Sequence, residues 1–300
     1  MKKKKGIMTL LAAYEADLER LRERIGKDRA ESTWKGMSQG RGYVQSFLKE
    51  HFRRDDLPLK DLTPQFIHDF SVYLSADCGL RSGTVWLACQ QLKGVVTRAH
   101  QRGLIRWNPF AGFHIAKNIR PREYLTEEEL QTLMLHQFDK PALTYARDIF
   151  LFAAFTGMAF VDIKELRPSD IVSINGAYWI VSRRHKTQIP FQVKLLDIPW
   201  QIIERHGHLK GNGTVFESLE YRTMAKRIHR VMDECGFQKR ITMHCARHSF
   251  AILALNKGMP IESVSRILGH TNITTTQIYA KITLQKLDDD MTRMAERLRI

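Results

Sequence analysis

One stretch alone in these 300 residues reads as β-structure, and that limits the fold class before any motif is considered. IVSINGAYWIVSRRHKTQIPFQVKLL (171–196) holds an Asn175-Gly176 pair, suited to the positive φ angles of a tight hairpin turn, then an apolar run. A polar turn over His185–Gln188 and another apolar run follow. Elsewhere the periodicity is helical. LTPQFIHDFSVYLSA places Thr63 as a cap, Pro64 at the first helical position, and Phe66, Ile67, Phe70 and Leu74 on one face. SGTVWLACQQLKGVVTRAHQRGLI repeats the pattern with Ser82 as the expected cap and Gly103 as the stop, and an earlier helix is expected over Trp34–Phe52. WNPFAGFHIAKNIRPREYL then interrupts the helices with two prolines, a glycine and several basic residues, as a linker does. Directly after it, Thr126 and Glu129 in LTEEELQTLM form a capping box that launches a new helix. The expected architecture is mainly α: a small helical domain with its connector over 1–117, and an α-rich domain with a small antiparallel β-sheet over 118–300.

Length and charge narrow the partners. Lysine and arginine outnumber aspartate and glutamate by 47 to 32, a net charge of +15. Such an excess draws polyanions, of which nucleic acid is the commonest, although a basic chain can also be merely basic. Cys78, Cys89, Cys235 and Cys245 show no metal-binding spacing and read as reduced thiols. The opening MKKKKGIMTLLAAYEADLERL loses its apolar run at Glu15, Asp17 and Glu19, unlike a signal peptide, and no apolar run reaches the ~20 residues of a membrane span. A cytoplasmic, nucleoid-associated protein without a membrane partner is expected.

The chemistry concentrates near the C-terminus. On a helix starting near Thr242, His244 and Arg247 are three apart and His248 is four from His244, so all three share a face. A polar helix face with satisfied histidines is the bland explanation. Zinc is a second, but the HExxH pattern needs glutamate after the first histidine and Cys245 stands there. A phosphate site explains more. Arginine offers a planar fork for two phosphate oxygens, histidine moves a proton, and a tyrosine hydroxyl in a positive field can attack phosphorus. The series HxxRH, then Leu268-Gly269-His270, then TTTQIY ending at Tyr279 resembles the tyrosine recombinase (phage integrase) family, from about Tyr124 to the end; the upstream helices and RGLIRWNPF are more loosely similar to that family's core-binding domain.

The resemblance implies that Tyr279 is the nucleophile joined to a DNA 3′-phosphate, that Arg247 is the second of two phosphate-clamping arginines, and that His244 and His270 contact the scissile phosphate and assist proton transfer. It implies a general-acid lysine on a turn between strands, which Lys186 in SRRHKTQIP matches. No cofactor is implied. The resemblance further implies double-stranded DNA as the substrate, gripped by both domains and bound by a homotetramer that forms on it, from a chain expected to be monomeric when free. One position departs from the pattern: in FTGMAFVDIKELRPSDI, Ala159 occupies the place of the first clamping arginine. Losing one transition-state donor typically costs about 3–4 kcal/mol, two to three orders of magnitude in rate. Arg184, two residues before Lys186 and aimed alike by strand alternation, is the expected substitute clamp; Arg183, Arg147 and Arg167 are weaker candidates. Asp162 is read as a carboxylate orienting a histidine or arginine, and His248 as a support for its helix. The tail LQKLDDDMTRMAERLRI, with Leu284, Leu287, Met291, Met294 and Leu298 at helical spacing, can pack on its own domain or on a neighbouring subunit. Because helical sequence begins almost at once, little room is expected for an arm-binding domain, which tilts the reading toward a simple recombinase that integrates, excises or inverts DNA. The rivals are a DNA-binding protein that lost its chemistry with the arginine, a type IB topoisomerase, and a helix-turn-helix factor suggested by MPIESVSRILGHTNITTTQIYAKI, which would have no use for HCARH or Lys186.

Overall fold

Helices claim the first third of the chain because their apolar faces close on one another. In the computed structural model, which describes residues 8–116, 123–211, 213–279 and 284–298, the first of two units spans Met1–Arg120. It contains α1 (Leu10–Arg22), α2 (Glu31–Phe52), α3 (Pro64–Ala76) and α4 (Ser82–Gln101) around buried Tyr14, Phe47, Phe70 and Leu92. Helix α2 starts three residues before the expected Trp34. Its Gly40 lets the Gln91 side chain of α4 come close, since a Cβ there would lie 2.1 Å from Gln91 Oε1 and would make that amide move. Asp17 on α1 is buried and accepts from Arg98 Nε at 2.7 Å and from Arg102 at 3.2 Å, tying α1 to the end of α4. Thr63 is the N-cap of α3 through its extended backbone, without a side-chain bond. The expected cap of α4 shifts by one: Arg81 carbonyl accepts from Thr84 and Val85 N–H, so Arg81 is the N-cap and Ser82 the first helical residue.

The start of the connector is not free chain. Phe110 and Phe113 are buried in the first unit's core; Asn108 bonds Phe110 N–H and Thr97, and Lys93 Nζ reaches the Phe113 carbonyl at 2.7 Å. The expected basic stretch at 117–122 lies outside the described residues, as does the lysine run at the N-terminus.

The second unit, Pro121–Ile300, is built on α6 (Pro141–Thr156), whose residues from Ala146 to Ala154 are all buried. Before it comes α5 (Glu127–Leu135), opened by the capping box: Thr126 Oγ1 accepts from Glu129 N–H at 3.3 Å and Glu129 Oε2 from Thr126 N–H at 2.7 Å. After it come the short α7 (Phe160–Lys164) and strands β1 (Ile171–Ile174), β2 (Ala177–Arg183) and β3 (Pro190–Lys194), one antiparallel sheet in the order β1-β2-β3. Asn175 and Gly176 both have positive φ, 51° and 76°, the geometry of a two-residue hairpin. The remaining elements are α8 (Asp197–His206), α9 (Tyr221–Glu234), α10 (Met243–Asn256), α11 (Ile261–Leu268), α12 (Thr274–Gln277) and α13 (Leu284–Leu298). No helix among the described residues is long and apolar enough to cross a membrane. The chain is thus mainly α, with one small antiparallel sheet.

Candidate active site

Helix α10 is buried on almost every side, so Arg247 carries a charge into the protein interior. Its guanidinium is fixed by carbonyls rather than by a carboxylate: it donates to Gly157 O at 2.9 Å and to Leu268 O. Gly157 can present that carbonyl because it ends α6 in the left-handed region, φ 69°, where a Cβ would lie 2.6 Å from Phe250. Burial, and then the neighbouring Arg184 guanidinium, pull the Arg247 pKa down to about 9, against the opposing pull of Tyr279 and Asp162. The group is still cationic at neutral pH, yet short of negative charge around it.

Arg184 is the second buried guanidinium. One terminal nitrogen donates to Asp162 Oδ2 at 2.7 Å, the other to Ile267 O at 2.7 Å, and the plane lies over the Phe191 ring at 4.1 Å. Its Nε is buried without a partner. Burial lowers its pKa, while the bond and charge of Asp162 work in the other direction. Gly269, left-handed at φ 59°, makes the space, since a Cβ there would sit 2.8 Å from Arg184 Nε. Arg183 faces away and donates to the Gln188 carbonyl at 3.2 Å. Strand alternation ends at the turn, however: Arg184 is buried, whereas Lys186 is exposed on the turn and makes no hydrogen bond or ion pair among the described residues. Arg147 is committed elsewhere, to Asp148 and to the Met134 and His136 carbonyls. Arg167 is exposed.

Three rings line up beside these cations. His244, exposed near the start of α10, meets His248 edge-on at 4.7 Å, and buried His248 meets the Tyr279 ring at 5.0 Å. Tyr279 is half-buried, two residues beyond α12, and packs against the cluster of Phe250, Leu255, Val264 and Leu268. His270, just past the Gly269 cap of α11, pairs its Nδ1 with Thr276 Oγ1 at 2.8 Å. Burial first, then Arg247, Arg184 and His244, lower the His270 pKa to about 4, so the ring is neutral at pH 7. Thus Arg247, Arg184, Asp162, His244, His248, His270 and Tyr279 converge, while Lys186 stands on the adjoining turn.

Ala159 is the N-cap of α7 and borders a pocket of about 400 Å³ that it shares with Phe160, Lys164, Tyr221, His244 and Arg247. The methyl group therefore leaves open space beside Arg247. Cys245, at the position of the zincin glutamate, instead accepts from Thr242 N–H at 3.3 Å and caps its own helix. Among the described residues no cluster of His, Cys, Asp or Glu could hold a metal. Thr276, fully buried, was not singled out in the sequence. The TTT run holds three threonines, and spacing alone does not say which one reaches a histidine.

Comparison with known proteins places this geometry in context. A model of the phage integrase family matches residues 123–286, and one of the phage integrase SAM-like domain matches residues 9–118. Tyrosine recombinase XerC of Lactobacillus delbrueckii subsp. bulgaricus is 26% identical over 234 residues, 73% of this chain and 79% of that protein. The XerC of Halalkalibacterium halodurans is 28% identical over 198 residues, 61% and 65% of the two chains. The fold is shared with the Tn1549 transposon integrase in complex with a circular intermediate DNA, at TM-score 0.75 and 18% identity over 95% of this chain and 99% of that one. It is shared as well with a lambda integrase (75-356) dimer bound to a COC′ core site, at TM-score 0.74 and 20% identity over 92% and 100%.

Proposed function

Because the chain belongs to the phage integrase family, the tyrosine-type site-specific recombinases, we propose that it cuts and rejoins double-stranded DNA through a 3′-phosphotyrosyl intermediate formed on Tyr279. The observation that carries this reading is a charge imbalance. Of two buried guanidiniums only Arg184 contacts a carboxylate among the described residues, Asp162, whereas Arg247 is held by carbonyls, and a tyrosine and a neutral histidine stand beside them. A phosphate supplies the missing negative charge, and fixed donors stabilise the further charge of the pentacoordinate transition state.

In the reaction Tyr279 Oη bonds to phosphorus while the bond to the 5′-oxygen breaks. The phenolic proton passes to a histidine; His270 is suited because it is neutral and pairs its Nδ1 with Thr276 Oγ1, and in the tautomer in which Nδ1 donates to that oxygen Nε2 is the nitrogen that takes the proton. Lys186 gives a proton to the departing 5′-oxygen. Rejoining runs the same transfers backward, so neither ATP nor a metal is consumed. Arg184 takes the place of the arginine absent at Ala159, clamping the phosphate alongside Arg247, with Asp162 orienting it. His244 adds a contact from the pocket rim, and His248 supports Tyr279 through its ring.

DNA as the partner is supported by the net charge of +15 and by the DNA-bound integrases that share the fold. Assembly into a homotetramer on DNA, and integration, excision or inversion as the outcome, follow from the same reading. The open space at Ala159 favours one rival, a DNA-binding protein with impaired chemistry. A nicked suicide duplex separates the two. Wild-type protein is expected to form a covalent adduct that Tyr279→Phe does not form, and absence of any adduct on a duplex that the protein binds overturns the enzymatic reading.

A further inference from the structure

The turn that carries Lys186 is held from two sides. Within the hairpin, Arg184 N–H donates to Ile189 O at 2.9 Å, Gln188 N–H to Arg184 O at 2.8 Å, and Gln188 Nε2 to His185 O at 3.0 Å. From α7, both grips fall on His185, the residue before the lysine. Asp162 Oδ1 accepts the His185 backbone N–H at 2.9 Å, and Glu165 Oε2 meets the His185 ring Nδ1 at 2.7 Å. Asp162 is buried and also serves Arg184, so its loss would disturb several groups at once. Glu165 and His185 are different: both side chains are 53% exposed, and such a pair adds little to global stability. Its effect is local. It ties the tip of the turn to the short helix whose start is Ala159 and whose Asp162 orients Arg184.

We propose that Glu165 and His185 are a positioning pair that latches the β2–β3 turn and keeps Lys186 in register with the leaving 5′-oxygen. The proposal rests on Lys186 being the general acid. A displacement of ~1 Å at such a group costs on the order of a hundredfold in rate, and the other side-chain ties from α7 to this turn among the described residues both come from Asp162, which holds backbone and Arg184 rather than the exposed tip.

The test compares cleavage of a nicked suicide duplex with a normal scissile phosphate against one with sulfur in place of the bridging 5′-oxygen. A thiolate departs without being protonated, so sulfur removes the need for a general acid. Glu165→Ala, His185→Ala and the double variant are expected to slow cleavage of the oxygen substrate by the same factor, about tenfold to a hundredfold. Sulfur restores all three, as it restores Lys186→Ala, and thermal melting is unchanged. His185→Asn, which offers an amide N–H near the position of Nδ1, recovers much of the rate lost in His185→Ala. If sulfur restores Lys186→Ala but not the Glu165 and His185 variants, the latch is overturned and the general-acid reading stands. If sulfur fails to restore Lys186→Ala, the general-acid reading falls and takes the latch with it. Loss in His185→Ala without loss in Glu165→Ala also overturns the latch, and makes His185 a direct DNA contact.

Discussion

Arg247 and Arg184 differ in how they are held, and the difference bears on what the loss of Arg184 does. Arg247 bonds to backbone carbonyls, whereas Arg184 is paired with Asp162. Arg184→Ala is expected to cut suicide-duplex cleavage by about two orders of magnitude, the usual effect of removing one donor to a transition-state anion. Beside Ala159 the 400 Å³ pocket has room for a long side chain, so Ala159→Arg in the Arg184→Ala background should regain part of that loss. Normal cleavage by Arg184→Ala alone sinks the substitution idea. His270 gives a second prediction at this scale. Its folded pKa of about 4 lies below its ordinary 6.5, so between those values the unfolded chain binds more protons and stability falls as pH drops. Melting temperatures at pH 7 and pH 5 should show a larger acid loss for wild type than for His270→Gln; equal losses would show that the ring does not titrate as described.

Whole elements were more legible in the sequence than the contacts between them. The Asn175-Gly176 hairpin, the Thr126–Glu129 capping box and the α10 face of His244, Arg247 and His248 are local patterns, set by φ preference and 3.6-residue spacing, and each formed where the residues indicated. The burial of Arg184 was not legible, because it depends on β3 supplying Phe191, α7 supplying Asp162 and α11 supplying the Ile267 carbonyl. Thr276 and Glu165 escaped for the same reason: their partners, His270 and His185, come from different turns of chain. The start of the connector reads as linker because its prolines and glycine mask two phenylalanines, Phe110 and Phe113, that close the first unit's core. Gly269 joins local and distant requirements. It needs a positive φ to end α11, and it faces Arg184 at a distance that a Cβ cannot share. Gly269→Ala is therefore expected to lose about 1–2 kcal/mol in denaturant unfolding and to lower cleavage by displacing Arg184. Unchanged unfolding together with full cleavage would remove Gly269 from the account of the site.

At the scale of the molecule, two apolar surfaces of the second unit are exposed among the described residues. One is a groove of about 620 Å³ lined by Leu130, Met134, Phe155, Leu253, Ala254 and Met259, among others. The other is on α13, where Met291, Met294 and Leu298 are about half exposed; the side chains of Leu284 and Leu287 fall outside the described ones. An exposed methionine stripe on a helix that follows Tyr279 by a few residues is costly unless it is covered in the working assembly. The groove is the right chemistry for it: a helix laid in by its apolar face at i, i+3 and i+7 buries what both surfaces leave in water. If a second copy's α13 fills this groove when protomers pair on DNA, Met291→Glu with Met294→Glu should leave binding to a single half-site intact. Two-site complexes should be lost, because a glutamate in this mainly apolar groove must shed its hydration while the lining lysine, Lys257, is already paired with Glu127 at 2.8 Å. Sedimentation of the protein on one-site and two-site duplexes separates the cases. Retention of the two-site complex by the double variant would mean that α13 stays on its own chain, and that protomers meet through some other surface.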